Sequence, residues 1–175
     1  MSPCPGGAAP AALPEGIGRH VYRCAPETCG EGVCCARFDV AVSAAERERI
    51  AALLPRLVKF CPWLAEDGDV FQATPCFLFI RKREGKCVFN FPANGRDGAA
   101  GYLCAIHALA LQDGLNPYAV KPRGCALWPF LEDGAGNLRV DDENQGLPCL
   151  RPRAAGEGEA PDPELLALWR QLPPR

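Results

Sequence analysis

The sequence predicts an α+β fold: a small, loop-rich domain with a few short helices and one or two β-hairpins. Three observations predict it. The 18 glycines and 18 prolines among 175 residues call for many turns. The apolar residues fall in short segments, some at helical spacing and others in aromatic and β-branched runs. Eleven cysteines, most of them in different segments, point to metal ligation or disulfides as the organising element. At 18.8 kDa the chain has room for one domain with tails and a single buried core.

Residues 1–18 are mostly Pro, Gly and Ala and read as a disordered leader, with Cys4 a bystander in it. Residues 20–42 carry the first cysteines in a loop context, where Gly30 and Gly32 let the backbone wrap closely around a ligated atom. Ser43-Ala44-Ala45-Glu46 is a capping box that opens a helix. Its apolar stripe runs through Ile50, Leu53, Leu54, Leu57 and Val58, and Pro62 ends any continuation. Residues 62–75 read as irregular, with a turn at Asp67-Gly68-Asp69.

Phe77–Arg83 and Lys86–Phe91 flank Glu84-Gly85 and read as a β-hairpin. Residues 92–100 read as a loop, and Tyr102–Gln112 as a short helix closed by Gly114. Asn116-Pro117 has the form of a cap followed by a first-turn proline, so one more helical turn begins there and stops at Lys121-Pro122. Leu127–Leu131 and Asn137–Asp141 form a second hairpin candidate. Residues 151–161 are linker-like. Residues 162–175 predict a C-terminal helix that docks on the domain, a cysteine-cluster metal-binding unit over 19–150, through Leu165, Leu166, Leu168, Trp169 and Leu172.

Nineteen Lys and Arg against 21 Asp and Glu give a net charge of −2. That balance argues against a nucleic-acid binder, which carries a basic surplus, and against a polybasic membrane anchor. No run of about 18 apolar residues is present to span a bilayer. The first twenty residues lack the basic and apolar regions of a secretory signal. These features predict a cytoplasmic protein, where thiols stay reduced and a dense cysteine cluster reads as a metal site rather than a disulfide framework.

Cys24, Cys29, Cys34 and Cys35 lie close together, while Cys61, Cys76, Cys87, Cys104, Cys125 and Cys149 each fall in a different segment. Thiolates are soft ligands suited to zinc or to iron–sulfur clusters. The paired C-x2-C knuckles of a zinc ribbon and the C-x2-C-x2-C-x3-C-Pro run of a bacterial ferredoxin are both absent from the sequence. On an extended backbone the adjacent Cys34 and Cys35 would point apart, so both ligate most easily in a cluster or in two neighbouring sites. The other reading makes one of them a small buried hydrophobe.

The order of these cysteines resembles the zinc- or iron-chelating cysteine-cluster (CxxCxxCC) family over about residues 24–131. The resemblance is carried by Cys24 through Cys35, the helix capped by Ser43, then Cys76 and Cys87. It continues in Cys104-Ala105-Ile106-His107 and Lys121-Pro122-Arg123-Gly124-Cys125-Ala126-Leu127-Trp128-Pro129. The first cluster is C-x4-C-x4-CC, wider than the family's pattern. Lys121 and His107 stand where the family often has Arg and an aromatic or acidic residue. The resemblance implies a bound metal. It also keeps open an enzymatic role, since some larger relatives are associated with flagellin lysine methylation.

The residues expected to ligate are Cys34, Cys35, Cys87, Cys104 and Cys125, with Cys29 next and Cys24, Cys76 and Cys149 as further candidates. These exceed the four of one zinc site or one [4Fe–4S] cluster, so two metals bind or the surplus thiols are core or redox partners. Cys61 reads as core packing. His107, three residues after Cys104, either chelates beside it or is a hydrogen-bonded, partly buried histidine. Lys121 and Arg123 would lower the thiol pKa near Cys125, or are solvated charge. Arg81, Lys82, Arg83 and Lys86 form a basic patch that reads as edge protection or, alternatively, phosphate binding. Trp128-Pro129-Phe130 would shield a metal from water. Motifs for acyl or phosphoryl transfer and HExxH are absent from the sequence.

Three functions follow from this reading. The first is a metal-binding protein with zinc or an iron–sulfur cluster, without a named protein partner. The second is an iron–sulfur-dependent redox or group-transfer enzyme of methyltransferase-like chemistry. The third is a disulfide-stapled protein without metal.

Overall fold

A computed structural model describes residues 20–22, 33–94, 100–132, 138–140, 147 and 149–152. The leader over 1–18, the C-terminal helix over 162–175, and both Cys24 and Cys29 lie outside the described residues. The chain divides into two compact units, Pro26–Ala126 and the combination of Met1–Ala25 with Leu127–Arg175.

The larger unit begins with α1 (Val33–Arg37) and β2 (Ala41–Val42), and β1 (His20–Tyr22) belongs to the other unit. The loop expected over 20–42 therefore contains three short elements. Cys34 and Cys35 lie in a helix and not on extended backbone, so their positions are about 100° apart around one axis rather than on opposite faces.

α2 (Ala44–Leu57) starts where its capping box predicts. The Ser43 amide donates to Glu46 Oε2 at 2.7 Å, and the Glu46 amide donates to Ser43 Oγ at 3.2 Å. Residues 62–75, expected to be irregular, hold a turn of 3-10 helix (Pro62–Ala65) and strand β3 (Phe71–Ala73). The short helix follows from Pro62 in its first turn, where a missing N–H costs nothing. Strand β4 (Leu78–Ile80) returns from β3 around Pro75-Cys76, and Thr74 closes that turn by bonding the Phe77 backbone through its amide and hydroxyl.

The hairpin expected over 77–91 is split. β4 lies between β2 and β3, so both its edges are taken and Leu78–Ile80 cannot pair with residues 89–91. What remains around Glu84-Gly85 is the pair β5 (Lys82–Arg83) and β6 (Lys86–Cys87), extended by the Val88 amide bonding the Arg81 carbonyl. Glu84 at φ 52° and Gly85 at φ 78° give the turn the positive-φ pair that matches strand twist.

The run after Cys87 pairs forward instead. β7 (Asn90–Asn94) and β8 (Ala100–Cys104) form an antiparallel hairpin across the region expected to be a loop. Its register sets Asn90 opposite Cys104 and Pro92 opposite Tyr102. The Ala105 amide donates to the Phe89 carbonyl at 2.8 Å. The alternation of an antiparallel ladder then makes Asn90–Cys104 and Pro92–Tyr102 non-hydrogen-bonded pairs, so proline there sacrifices no ladder bond. Helix α3 (Ala105–Gln112) starts three residues later than its apolar pattern predicts, because Tyr102–Cys104 is drawn into this ladder. α4 (Pro117–Val120) has the expected cap, with Asn116 Oδ1 accepting from the Tyr118 amide at 3.0 Å. α5 (Arg123–Leu127), which carries Cys125, follows Pro122 and has no counterpart in the sequence reading.

The core of this unit joins Ile50 and Leu57 of α2 to Ile106 and Leu109 of α3, with Val70, Ile80, Val88 and Phe89 from the strands and their connections. Each such side chain, fully withdrawn from water, contributes roughly 1.5–3 kcal/mol. α2 and α3 are also strapped at their far ends, where the Arg56 guanidinium donates to both carboxylate oxygens of Asp113.

In the other unit β9 (Phe130–Glu132) and β10 (Leu138–Val140) pair as the second hairpin predicts, with the intervening loop outside the described residues. β11 (Leu150–Pro152) pairs with β1, so the stretch expected to be linker-like from residue 151 begins as strand.

Candidate functional site

Among the described residues of the larger unit, the cysteines other than Cys76 fall in two neighbourhoods. The first is organised by α1. This helix carries Cys35 and packs against β6, which carries Cys87. Just beyond it, the Phe38 ring lies against α5, where a methyl group on Gly124 would come within 3.3 Å of Phe38 Cε1. Glycine thus permits the close approach of the helix that carries Cys125. Cys35, Cys87 and Cys125 are all half-buried.

α2 holds α5 in that place. Glu46 is buried, and while its Oε2 closes the capping box, its Oε1 accepts the Arg123 amide at 2.6 Å. Arg49 Nη2, one turn along, donates to the Lys121 carbonyl at 3.4 Å. The capping box is legible in sequence, but a partner 77 residues away leaves no local signal.

The second neighbourhood holds Cys104 and Cys61. Cys104 caps α3 from extended backbone, at φ −84° and ψ 122°. Cys61 is fully buried, as its reading as core packing expects. Burial first, and then the charge of Cys104, push the Cys61 thiol up from its ordinary value near 9.0 to about 12. The sign follows from linkage. The unfolded thiol ionises near 9, whereas the folded one keeps its proton to about 12. The stability this group contributes is therefore complete below pH 9 and lost as pH rises toward 12. Urea unfolding at neutral pH and at about pH 10 should show wild type losing more stability across that interval than Cys61→Ala. Equal losses in the two proteins would contradict this assignment.

Asn90 stands directly across the ladder from Cys104 and is 7% exposed. Neither its amide nitrogen nor its amide oxygen has a hydrogen-bond partner among the described residues. Asn90 does not stand out in the sequence, because a single asparagine in an apolar run carries no signal of what lies across the strand.

His107 stands in the first turn after Cys104, with its ring edge-on to Tyr118 at 6.3 Å between centroids. Cys76 is exposed at the tip of the β3–β4 turn. Cys149 lies half-buried in the other unit, beside β11. The Cys34 side chain, like Cys24 and Cys29, is outside the described residues. Among the described residues, no group of three or more His, Cys, Asp and Glu side chains is arranged to hold a metal ion.

The basic patch is engaged within the fold. Arg81 donates to the carbonyls of Asp67 and Asp69, and Lys82 pairs with Asp39 at 2.7 Å. Arg83 pairs with Asp67 and covers the Trp63 ring, and Lys86 covers the Tyr102 ring. Trp63 is itself fixed by its indole N–H, which donates to the Val88 carbonyl at 2.8 Å. Lys121 lies over Tyr118. Among the described residues, no helix is long and apolar enough to cross a membrane.

Compared with known proteins, the chain has no match among family models, curated proteins or solved structures.

Proposed function

We propose that the chain is a cytoplasmic metal-binding protein whose cysteines chelate zinc or an iron–sulfur cluster. The observation that carries this reading is the position of α1. The helix holding the Cys34-Cys35 pair packs against the strand of Cys87, and Phe38, the residue that follows this helix, lies against the helix of Cys125. These elements come from three distant parts of the sequence, and each brings a thiol. The order of the motifs, which resembles the CxxCxxCC family, supports the same reading.

The proposed ligands are Cys34, Cys35, Cys87 and Cys125, with Cys29 and Cys104 completing the set or serving a second ion. Four thiolates satisfy a closed zinc site or one [4Fe–4S] cluster. When bound, the metal supplies a cross-link between segments far apart in sequence, so that its binding energy is also folding energy. The protein holds the thiols in place through Glu46, Arg49 and Gly124, which fix α5 against α2 and Phe38.

The test is anaerobic purification followed by elemental analysis and a visible spectrum of the same sample. Zinc in a colourless protein, or iron with a broad sulfur-to-iron absorption, is the expected result. A metal-free protein with few free thiols under denaturing titration would refute the reading and favour a disulfide-stapled protein.

A further inference from the structure

We infer that Cys35 and Cys87 are a redox pair, which joins as a reversible disulfide when the chain meets a peroxide. α1, which carries Cys35, packs against β6, which carries Cys87. An ion pair straps the same seam. Lys82 stands directly across the β5–β6 ladder from Cys87, and its ammonium bonds Asp39 Oδ1 at 2.7 Å, just past the end of α1. Directly opposed residues share a face of the ladder. Cys87 therefore stands on the face from which Lys82 reaches the end of the Cys35 helix. A disulfide needs Cα atoms about 4.4–6.8 Å apart, a separation found between elements in direct contact. Both cysteines are half-buried, open to a small uncharged oxidant, whereas Cys61 is sealed in the core.

Peroxide supplies the oxidant, and the step balances. One sulfur attacks a peroxide oxygen. An S–O bond forms, the O–O bond breaks, and the leaving hydroxide takes the thiol proton and departs as water. The second sulfur then attacks the sulfenic sulfur. An S–S bond forms, the S–O bond breaks, and the second hydroxide leaves as water with the second thiol proton. The two thiols have lost two electrons, and one peroxide has become two waters. A thiol reductant restores the pair by exchange. Transient bonds of this kind are the form that disulfides take in a reducing compartment.

The bond itself needs no metal. Its consequence for the proposed metal centre rests on that reading. The two sulfurs are among the four principal thiols of that centre, so each bond formed removes half the set. Oxidation at this seam is then read out as release of the metal, because ligation requires the thiolates.

The test adds one equivalent of hydrogen peroxide to the anaerobically purified full chain, followed by tryptic mapping and elemental analysis of the same sample. Before peroxide, the peptides spanning 24–37 and 87–96 should be separate. Afterwards they should be joined through Cys35 and Cys87, with two thiols lost per chain and the mass lower by about 2 Da. Dithiothreitol should reverse all three changes. Cys76→Ser should keep the link and Cys35→Ser should lose it. A link already present before peroxide, a bond from Cys87 to Cys34 or Cys125, or a Cys87 left reduced while Cys76 oxidises would overturn the pair. Metal content reads the centre separately. A loaded chain that loses its metal as the link forms supports both readings. A metal-free chain that still forms the link overturns the centre alone, and a loaded chain that keeps both its metal and its two thiols overturns the pair alone.

Discussion

Replacing Cys87 or Cys125 with serine is expected to lower metal affinity by more than about 100-fold, beyond what loss of a supporting hydrogen bond removes. Each variant should also lower the thermal stability of the protein as purified. Cys87 sits on the strand that packs against α1, and Cys125 on the helix that approaches Phe38, the residue after α1. A hydroxyl is a poor replacement for a thiolate at a soft metal, and an incomplete ligand set holds the metal weakly. The stability loss follows because metal binding and folding are one equilibrium wherever the ligands come from separate segments. The core of Ile50, Leu57, Ile106 and Leu109 remains in the variants, so α2 and α3 should stay packed while the α1 and α5 regions loosen. Cys76→Ser is the comparison, since that thiol is exposed in a turn, and it should keep full metal content. Competition against a chromophoric zinc chelator, with thermal melts of the same samples, checks both parts. Full metal retention in Cys87→Ser and Cys125→Ser would show that these thiols do not ligate.

Glu46→Ala is expected to cost about 2–5 kcal/mol, the sum of two losses at one carboxylate. The first is the capping box on α2, where removal of a cap costs about 0.5–2 kcal/mol. The second is the charge-assisted bond from the Arg123 amide at 2.6 Å, of a kind that contributes about 1.5–3 kcal/mol. Glu46→Gln keeps one acceptor oxygen and should lose about half as much. The loss is also local in a way that core truncation is not. Hydrogen exchange at the Arg123 amide should accelerate more than at amides inside α3, because the carboxylate is its acceptor. Urea denaturation gives the first quantity and exchange the second. A loss below about 0.5 kcal/mol, or unchanged exchange at Arg123, would mean that α5 is held by other contacts.

The parts of the fold legible in the sequence are those written in local chemistry. Ser43 and Glu46 announce the start of α2, Asn116-Pro117 that of α4, and Glu84-Gly85 a tight turn. Partner choice between strands was not legible. The run from Phe77 to Phe91 reads as one hairpin because both halves are aromatic and β-branched. In the fold β4 is claimed on both edges by β2 and β3, and the second half pairs forward with β8. Tyr102–Cys104 is likewise compatible with helix or strand, and the ladder decides. A helix as short as α5 has too few residues to show a period.

The candidate site divides in the same way. The thiols stand out as candidates by their number and order, because few other residues carry soft-metal chemistry. The residues that hold them do not. Glu46 acts across 77 residues, and Gly124 matters only because Phe38 lies against it. The basic residues after Ile80 show the converse. In the sequence they read as edge protection or, alternatively, a phosphate site, and in the fold Arg81, Lys82, Arg83 and Lys86 are each engaged by a carbonyl, a carboxylate or a ring.

X-ray absorption at the metal edge of the anaerobically purified chain tests the central claim most directly, because it reports the atoms bound to the metal. Cysteine ligation predicts a first shell dominated by sulfur at about 2.3 Å for zinc, or sulfur together with a short iron–iron vector for a cluster. A first shell of nitrogen or oxygen at about 2.0–2.2 Å without sulfur, or no metal edge in the sample, would contradict it.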